Sequence, residues 1–254
     1  MNKTLRSIIR NVILPITTVC LLFLIWYIAA KVKQNELILP YPNEVIGRFF
    51  LLWQEKSFVK SIFGTLGRTL LCFVISFIFA LVFAIISELW KPFDMFTAPV
   101  VSFLRAAPTV AVILVLYAFL PAKKMSVIVG FLIAFPVLYS SLHTAISSTD
   151  KKLLDMAKAY RVPTYRRILQ IYLPHALPVV FDTTRSTLSL TLKVVVAAEI
   201  LTLVPASLGG KIQTAYASFE ISYLLAWTML AIVLAFALEA IVLILKKIVI
   251  RWQI

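Results

Sequence analysis

Long apolar runs separated by short polar stretches set the pattern of this chain. Six runs approach or exceed twenty residues, at 12–30, 64–87, 95–120, 125–147, 176–201 and 221–245. A helix of that length crosses a hydrocarbon slab of about 30 Å with every backbone amide satisfied internally. The pattern therefore predicts an all-α integral membrane protein of about six transmembrane helices. The first run follows Lys3, Arg6 and Arg10 and resembles a leader. At about 19 residues it exceeds a typical signal core of roughly 7 to 15, so it reads as an uncleaved span. Between the first two runs, Leu39-Pro40-Tyr41-Pro42-Asn43 reads as an extended turn. From Glu44 to Lys60 the periodicity predicts a short amphipathic helix in the membrane interface, with Val45, Phe49, Leu52 and Trp53 on one stripe.

The one long charged stretch, residues 148–174, breaks this rhythm. Pro163 divides it into two short helices, the first capped by Thr149 or Asp150. In that first helix Leu153, Ala157 and Tyr160 share one face, while Lys151, Asp155 and Lys158 share another. A loop that folds into an amphipathic pair has a surface to dock on.

Composition narrows the class. With 61% hydrophobic and only 14% charged residues, a soluble enzyme is excluded. The formal charge of +14 then belongs to cytoplasmic loops, not to a nucleic-acid face. With the N-terminus inside, 13 Lys and Arg fall in cytoplasmic segments against 8 outside, so both termini are placed in the cytoplasm. Cys20 and Cys72 both lie in apolar runs and suggest neither a disulfide nor a metal site. His143 and His175 have no second ligand nearby in sequence. No catalytic triad, paired carboxylates or metal-ligand spacing is visible, and Gly209-Gly210-Lys211 followed by Ile212 is not a phosphate-binding loop.

Charges inside the spans are costly and mark protein interiors or water-filled paths. Arg68 and Arg185 lie near span starts, where they snorkel or pair locally. Asp182, Glu199 and Glu239 are the acidic counterparts. Lys193 and Glu199, six apart on the fifth run, lie nearly on opposite faces and call for separate partners. Lys193 reads equally as a path-facing cation or as half of a buried pair. Arg105, three residues before Pro108, is either a paired arginine beside a proline kink or part of a cavity lined by freed carbonyls. Arg105, Lys193 and Glu199 are the candidate path residues.

The segment Leu153-Leu154-Asp155-Met156-Ala157-Lys158-Ala159-Tyr160-Arg161, with Leu173-Pro174 beyond it, resembles the EAA loop of permease subunits in binding-protein-dependent ABC importers. Asp155 and Met156 stand where Glu and Ala are usual, and Arg161 stands where a glycine usually makes the turn. In order along 38–252, Leu39-Pro40 with Pro42, Thr65-Leu66-Gly67-Arg68, Leu104-Arg105-Ala106-Ala107-Pro108, Phe135-Pro136, Ala197-Ala198-Glu199 and Leu208-Gly209 resemble the nitrate/sulfonate/taurine branch of that family. The resemblance implies the ABC importer permease fold, with an N-terminal span at 1–37 and the permease domain at 38–254. It implies that Leu154, Asp155, Met156, Ala157, Lys158, Ala159, Tyr160 and Arg161 form a coupling helix for a separate ATP-binding subunit. That partner hydrolyses ATP, and no cofactor is bound by this chain. It further implies an extracytoplasmic substrate-binding protein, a second permease copy, and residence as a multi-pass protein in a prokaryotic plasma membrane, the inner membrane where there are two. The substrate class so implied is a small nitrate-, sulfonate- or taurine-like anion, or a thiamine-precursor pyrimidine. The rival class is a membrane-embedded enzyme or an assembly scaffold.

Overall fold

The computed structural model describes residues 13–33, 35 and 38–250, and every regular element among them is helical. In chain order these are α1 (Leu14–Lys33), α2 (Pro42–Leu51) with a 3-10 turn at Leu52–Gln54, α3 (Phe58–Leu89), α4 (Lys91–Ala106) and α5 (Thr109–Tyr117). Then follow α6 (Ala122–Ser147), α7 (Lys151–Ala159), α8 (Thr164–Arg167) with a π-helical turn at Ile168–Tyr172, α9 (Leu173–Leu201), α10 (Leu208–Ala217) and α11 (Ile221–Val249). Two compact units emerge, one from residues 13–58 and 212–230, the other from 59–211 and 231–250.

Among the described residues four helices are long and apolar enough to cross a membrane: α1, α3, α6 and α11. The predicted span at 95–120 is broken. Its halves α4 and α5 meet at 91° and make a fifth crossing if counted as one. A proline disfavours the helical region for the residue before it, and here, unlike at Pro99 and Pro136 inside their helices, Ala107 before Pro108 is extended at φ −65°, ψ 127°. The predicted span at 176–201 is a 29-residue helix, α9, but it is too rich in charge to qualify by apolarity. Near 58 the amphipathic segment ends earlier than its periodicity predicts, because Phe58 already opens α3. Val45 and Leu52 of the predicted stripe are buried, whereas Trp53 is exposed.

In the larger unit α6 packs along α9. Ile113, Met125, Val129, Val194 and Ala198 form a core there. Lipid is as apolar as any of these side chains, so close approach rather than apolarity holds such helices together. α3 buries Ser61, Thr65, Thr69, Cys72, Ser76, Ala80, Ala84 and Ser87, a row of small residues. Gly130 of α6 comes so near that a Cβ there would lie 2.6 Å from Cys72 Sγ and 3.2 Å from Val195 Cγ2. The hydroxyls of Thr69 and Ser76 donate back to carbonyls one turn earlier, which satisfies both within the helix. At the far end Ser87 Oγ and Tyr139 Oη are 2.8 Å apart, tying α3 to α6. Tyr139 continues a ladder of stacked rings from Phe131 through Phe135 to His143.

In the smaller unit Trp26 Nε1 donates to Pro40 O at 3.1 Å, which fixes the turn after α1. Ser222 Oγ donates to Glu44 Oε1 at 2.6 Å, and the Arg48 guanidinium lies 5.0 Å from the Tyr223 ring centre.

Candidate functional site

The loop at 148–174 folds as two short helices divided at Pro163. Asp150 is the cap: its carboxylate accepts from Lys152 N at 2.9 Å. α7 ends in a Schellman motif, with Val162 N donating to Ala157 O at 2.8 Å and Arg161 N to Lys158 O at 2.9 Å. The residue that must turn left-handed in this motif is Arg161, at φ 53°. The arginine standing at the usual glycine position thus adopts the glycine's backbone geometry and bears its strain.

The face of α7 differs from the predicted one. Ala157 is buried and Leu154 half-buried, so these two seat the helix on the protein. Leu153, Met156 and Tyr160 point outward, 46%, 53% and 79% exposed, and Asp155, Lys158, Ala159 and Arg161 are exposed beside them. Ala157 therefore does not share the outward face with Leu153 and Tyr160. Tyr165 and Leu169 add to the exposed apolar surface, and the sequence pattern did not single them out. Beneath the loop a cleft of about 560 Å³ is lined by Glu88, Lys151, Asp155, Lys158, Arg167 and Tyr172 among others. Burial, with the Glu88 carboxylate beside it, pushes the Tyr172 phenol above its ordinary value.

A second cluster lies deep in the unit. Glu199 is fully buried, and its Oε1 meets Arg68 at 2.8 Å from Nε and 2.6 Å from Nη2. Its Oε2 accepts from Thr65 Oγ1 at 2.8 Å and from Gly209 N at 3.1 Å. Thr65 Oγ1 in turn accepts from Leu208 N at 2.9 Å. One carboxylate thus serves α3 and caps the start of α10, where free amides favour negative charge. Only a glycine fits at 209, since a Cβ there would lie 2.4 Å from Glu199 Cβ and 2.5 Å from Val196 O. Three separated sequence motifs, 65–68, 197–199 and 208–209, converge on this point.

The candidate path residues therefore have different surroundings. Glu199 faces protein on all sides. Arg105, at the end of α4, is exposed and donates to Ser140 Oγ at 3.2 Å. Lys193 is exposed, between buried Leu192 and Val194, and has no hydrogen-bond or ion-pair partner among the described residues. Arg68, expected to pair locally or snorkel, instead pairs with Glu199, 131 residues away. Arg185 pairs with Glu239 at 3.3 Å and Asp182 with Lys246 at 2.6 Å. His143 lies 3.5 Å from Asp94, which also binds Lys91, and His175 lies 3.4 Å from Ser148 Oγ. No group of three or more potential metal ligands occurs among the described residues.

Residues 76–252 match the family described as binding-protein-dependent transport system inner membrane component. Among solved structures the chain is similar to an inward-facing form of the MetNI methionine ABC transporter. The TM-score is 0.65 at 14% identity, over 76% of this chain and 96% of that one. It is also similar to a bacterial ABC transporter involved in import of the acidic polysaccharide alginate, with TM-score 0.70 and 15% identity over 98% and 100% of the two chains. A comparison with curated protein sequences finds no match.

Proposed function

This chain belongs to the family of binding-protein-dependent transport system inner membrane components, and from that premise we propose that it couples ATP hydrolysis elsewhere to solute movement through its loop at 148–174. It is a multi-pass ABC importer permease, and its family and fold neighbours are transporter permeases, not enzymes. The embedded-enzyme reading falls with that membership.

The observation that carries the coupling role is the outward face of α7. Leu153, Met156 and Tyr160 expose apolar surface on a nine-residue helix held rigid by an Asp150 cap and a Schellman end. A solvated loop gains nothing from presenting a tyrosine 79% exposed beside a leucine and a methionine. A groove on an ATPase subunit would bury all three. The partners are then that ATPase, an external binding protein and a second copy of this chain, with the membrane being a prokaryotic plasma membrane. Residues 38–254 form the permease domain and 1–37 an added N-terminal span, with both termini in the cytoplasm.

The substrate belongs, on the motif resemblance, with small nitrate-, sulfonate- or taurine-like anions or a thiamine-precursor pyrimidine. The neighbours named for methionine and for alginate are too different in cargo for the shared fold to choose. Arg105 and Lys193 are the side chains we place along the path. Glu199 acts there by holding α3, α9 and α10 in register, not by touching solute.

The test is disulfide and maleimide crosslinking in native membranes, on a Cys20→Ser background. Met156→Cys and Ala159→Cys should each crosslink to the ATPase, whereas buried Ala157→Cys should not. Tyr160→Asp should uncouple the complex by placing an unpaired charge in the groove. Crosslinking from Lys91→Cys with none from 156 or 159 would overturn the assignment.

A further inference from the structure

Most charges within the spans meet an opposite charge, and the exceptions, Arg105 on the Ser140 hydroxyl and Lys193, are both cations. Glu199 meets Arg68, Glu239 meets Arg185, Asp182 meets Lys246 and Asp94 meets Lys91. Lys193 has no such partner among the described residues.

Its depth is fixed by packing. Val195, two residues on, lies at the level of Gly130 and Cys72. Cys72 is the fifteenth residue of the 32-residue α3, which puts it about 21 Å from one end of that helix and about 25 Å from the other. With α3 centred in a hydrocarbon slab of about 30 Å, that level lies about 12 Å from the nearer face, further than a lysine stem of about 6 Å reaches. An unpaired ammonium at such depth is tolerated where water or a counter-charge reaches it.

The surface around it is continuous. Along α9, Leu188, Leu192, Val195 and Val196 are buried, whereas Ser186, Leu190 and Lys193 are exposed and Ala197 is half-buried. These four recur at helical spacing on one stripe. We propose that this stripe borders a water-filled path and that Lys193 is its anion-binding group, so that the transported solute carries negative charge. The inference rests on the importer reading and extends it from residue placement to substrate class. A cation without a carboxylate within reach favours nitrate-, sulfonate- or carboxylate-bearing solutes and disfavours a cationic pyrimidine.

The experiment uses the full complex in membrane vesicles, on a Cys20→Ser background with buried Cys72 retained. Leu190→Cys places a thiol one turn from Lys193. Two methanethiosulfonate reagents of similar size are compared, one bearing a sulfonate and one a trimethylammonium, each rate normalised to a free thiol in solution. A unit charge about 6 Å away in water should favour the anionic reagent by about three- to tenfold. Lys193→Gln should abolish that preference, and Lys193→Arg should retain it. Failure of both charged reagents to react, no preference for the anionic one, or a preference unmoved by Lys193→Gln, would overturn the proposal. Ala159→Cys crosslinking to the ATPase, read in the same vesicles, separates the two claims. Its loss with the anion preference intact would sink the coupling assignment alone; its retention without the preference would sink the anion site alone.

Discussion

Replacing Arg161 by glycine should stabilise the turn after α7, although it removes a charged side chain from an exposed surface. At φ 53° the arginine Cβ crowds its own carbonyl, at a cost of about 1–2 kcal/mol. Glycine removes that cost but adds chain entropy to the open state, about 0.5–1 kcal/mol in the other direction. The net gain is about 0.5–1 kcal/mol, or a two- to fivefold smaller open population of the turn. The reporters are the amides of Arg161 and Val162, whose bonds to Lys158 O and Ala157 O close the motif. Hydrogen exchange of the permease in nanodiscs should show both slowed two- to fivefold in Arg161→Gly. Arg161→Ala is the control, since it deletes the charge and keeps the strained Cβ, and its exchange should match the parent. If alanine protects as well as glycine, repulsion among the loop's basic residues, not backbone strain, governs the turn, and the reasoning fails.

Glu199→Gln leaves Arg68 without its counter-charge in a site where the carboxylate is fully buried and the guanidinium 16% exposed, and should cost about 3–5 kcal/mol. A markedly lower melting temperature in detergent is the expected reading, and an unchanged one would show that water already serves Arg68. Gly130→Ala drives a methyl to within 2.6 Å of Cys72 Sγ and should cost about 1–3 kcal/mol. Adding Cys72→Ala removes that sulfur and should restore most of the loss, giving a coupling of about 1 kcal/mol in a double-mutant cycle; simple additivity would refute the contact.

Four of the six predicted spans were legible because lipid imposes one rule on every residue of a run, and a run can be read without its neighbours. The loop was legible for a related reason. Its cap at Asp150, its break at Pro163 and its turn at Arg161 are all made by residues within a few positions of each other. Which face of α7 turns inward was not, since Ala157 rather than Leu153 fits against the protein and that choice is made by shape elsewhere. The 91° corner lay half in view: Pro108 announces a break, but its angle depends on what α4 and α5 pack against. The pairing of Arg68 with Glu199 was hidden by a separation of 131 residues, although both halves lay in motifs already noticed.

That separation has a consequence for how the protein is made. The N-terminal part of α3, with Arg68 in it, is synthesised roughly 7 to 26 s before Glu199 exists, at translation rates of about 5–20 residues per second. During that interval the newborn helix carries a cation with no mate, and entry of α3 into the bilayer works against it. An insertase that keeps α3 at a hydrated, protein-lined exit until α9 arrives would relieve the conflict, and Gly209, arriving ten residues after Glu199, then closes the knot. Assembly order is thereby written into one carboxylate. A chain truncated just before residue 199 would remain an open precursor, and one extended past 210 could be released.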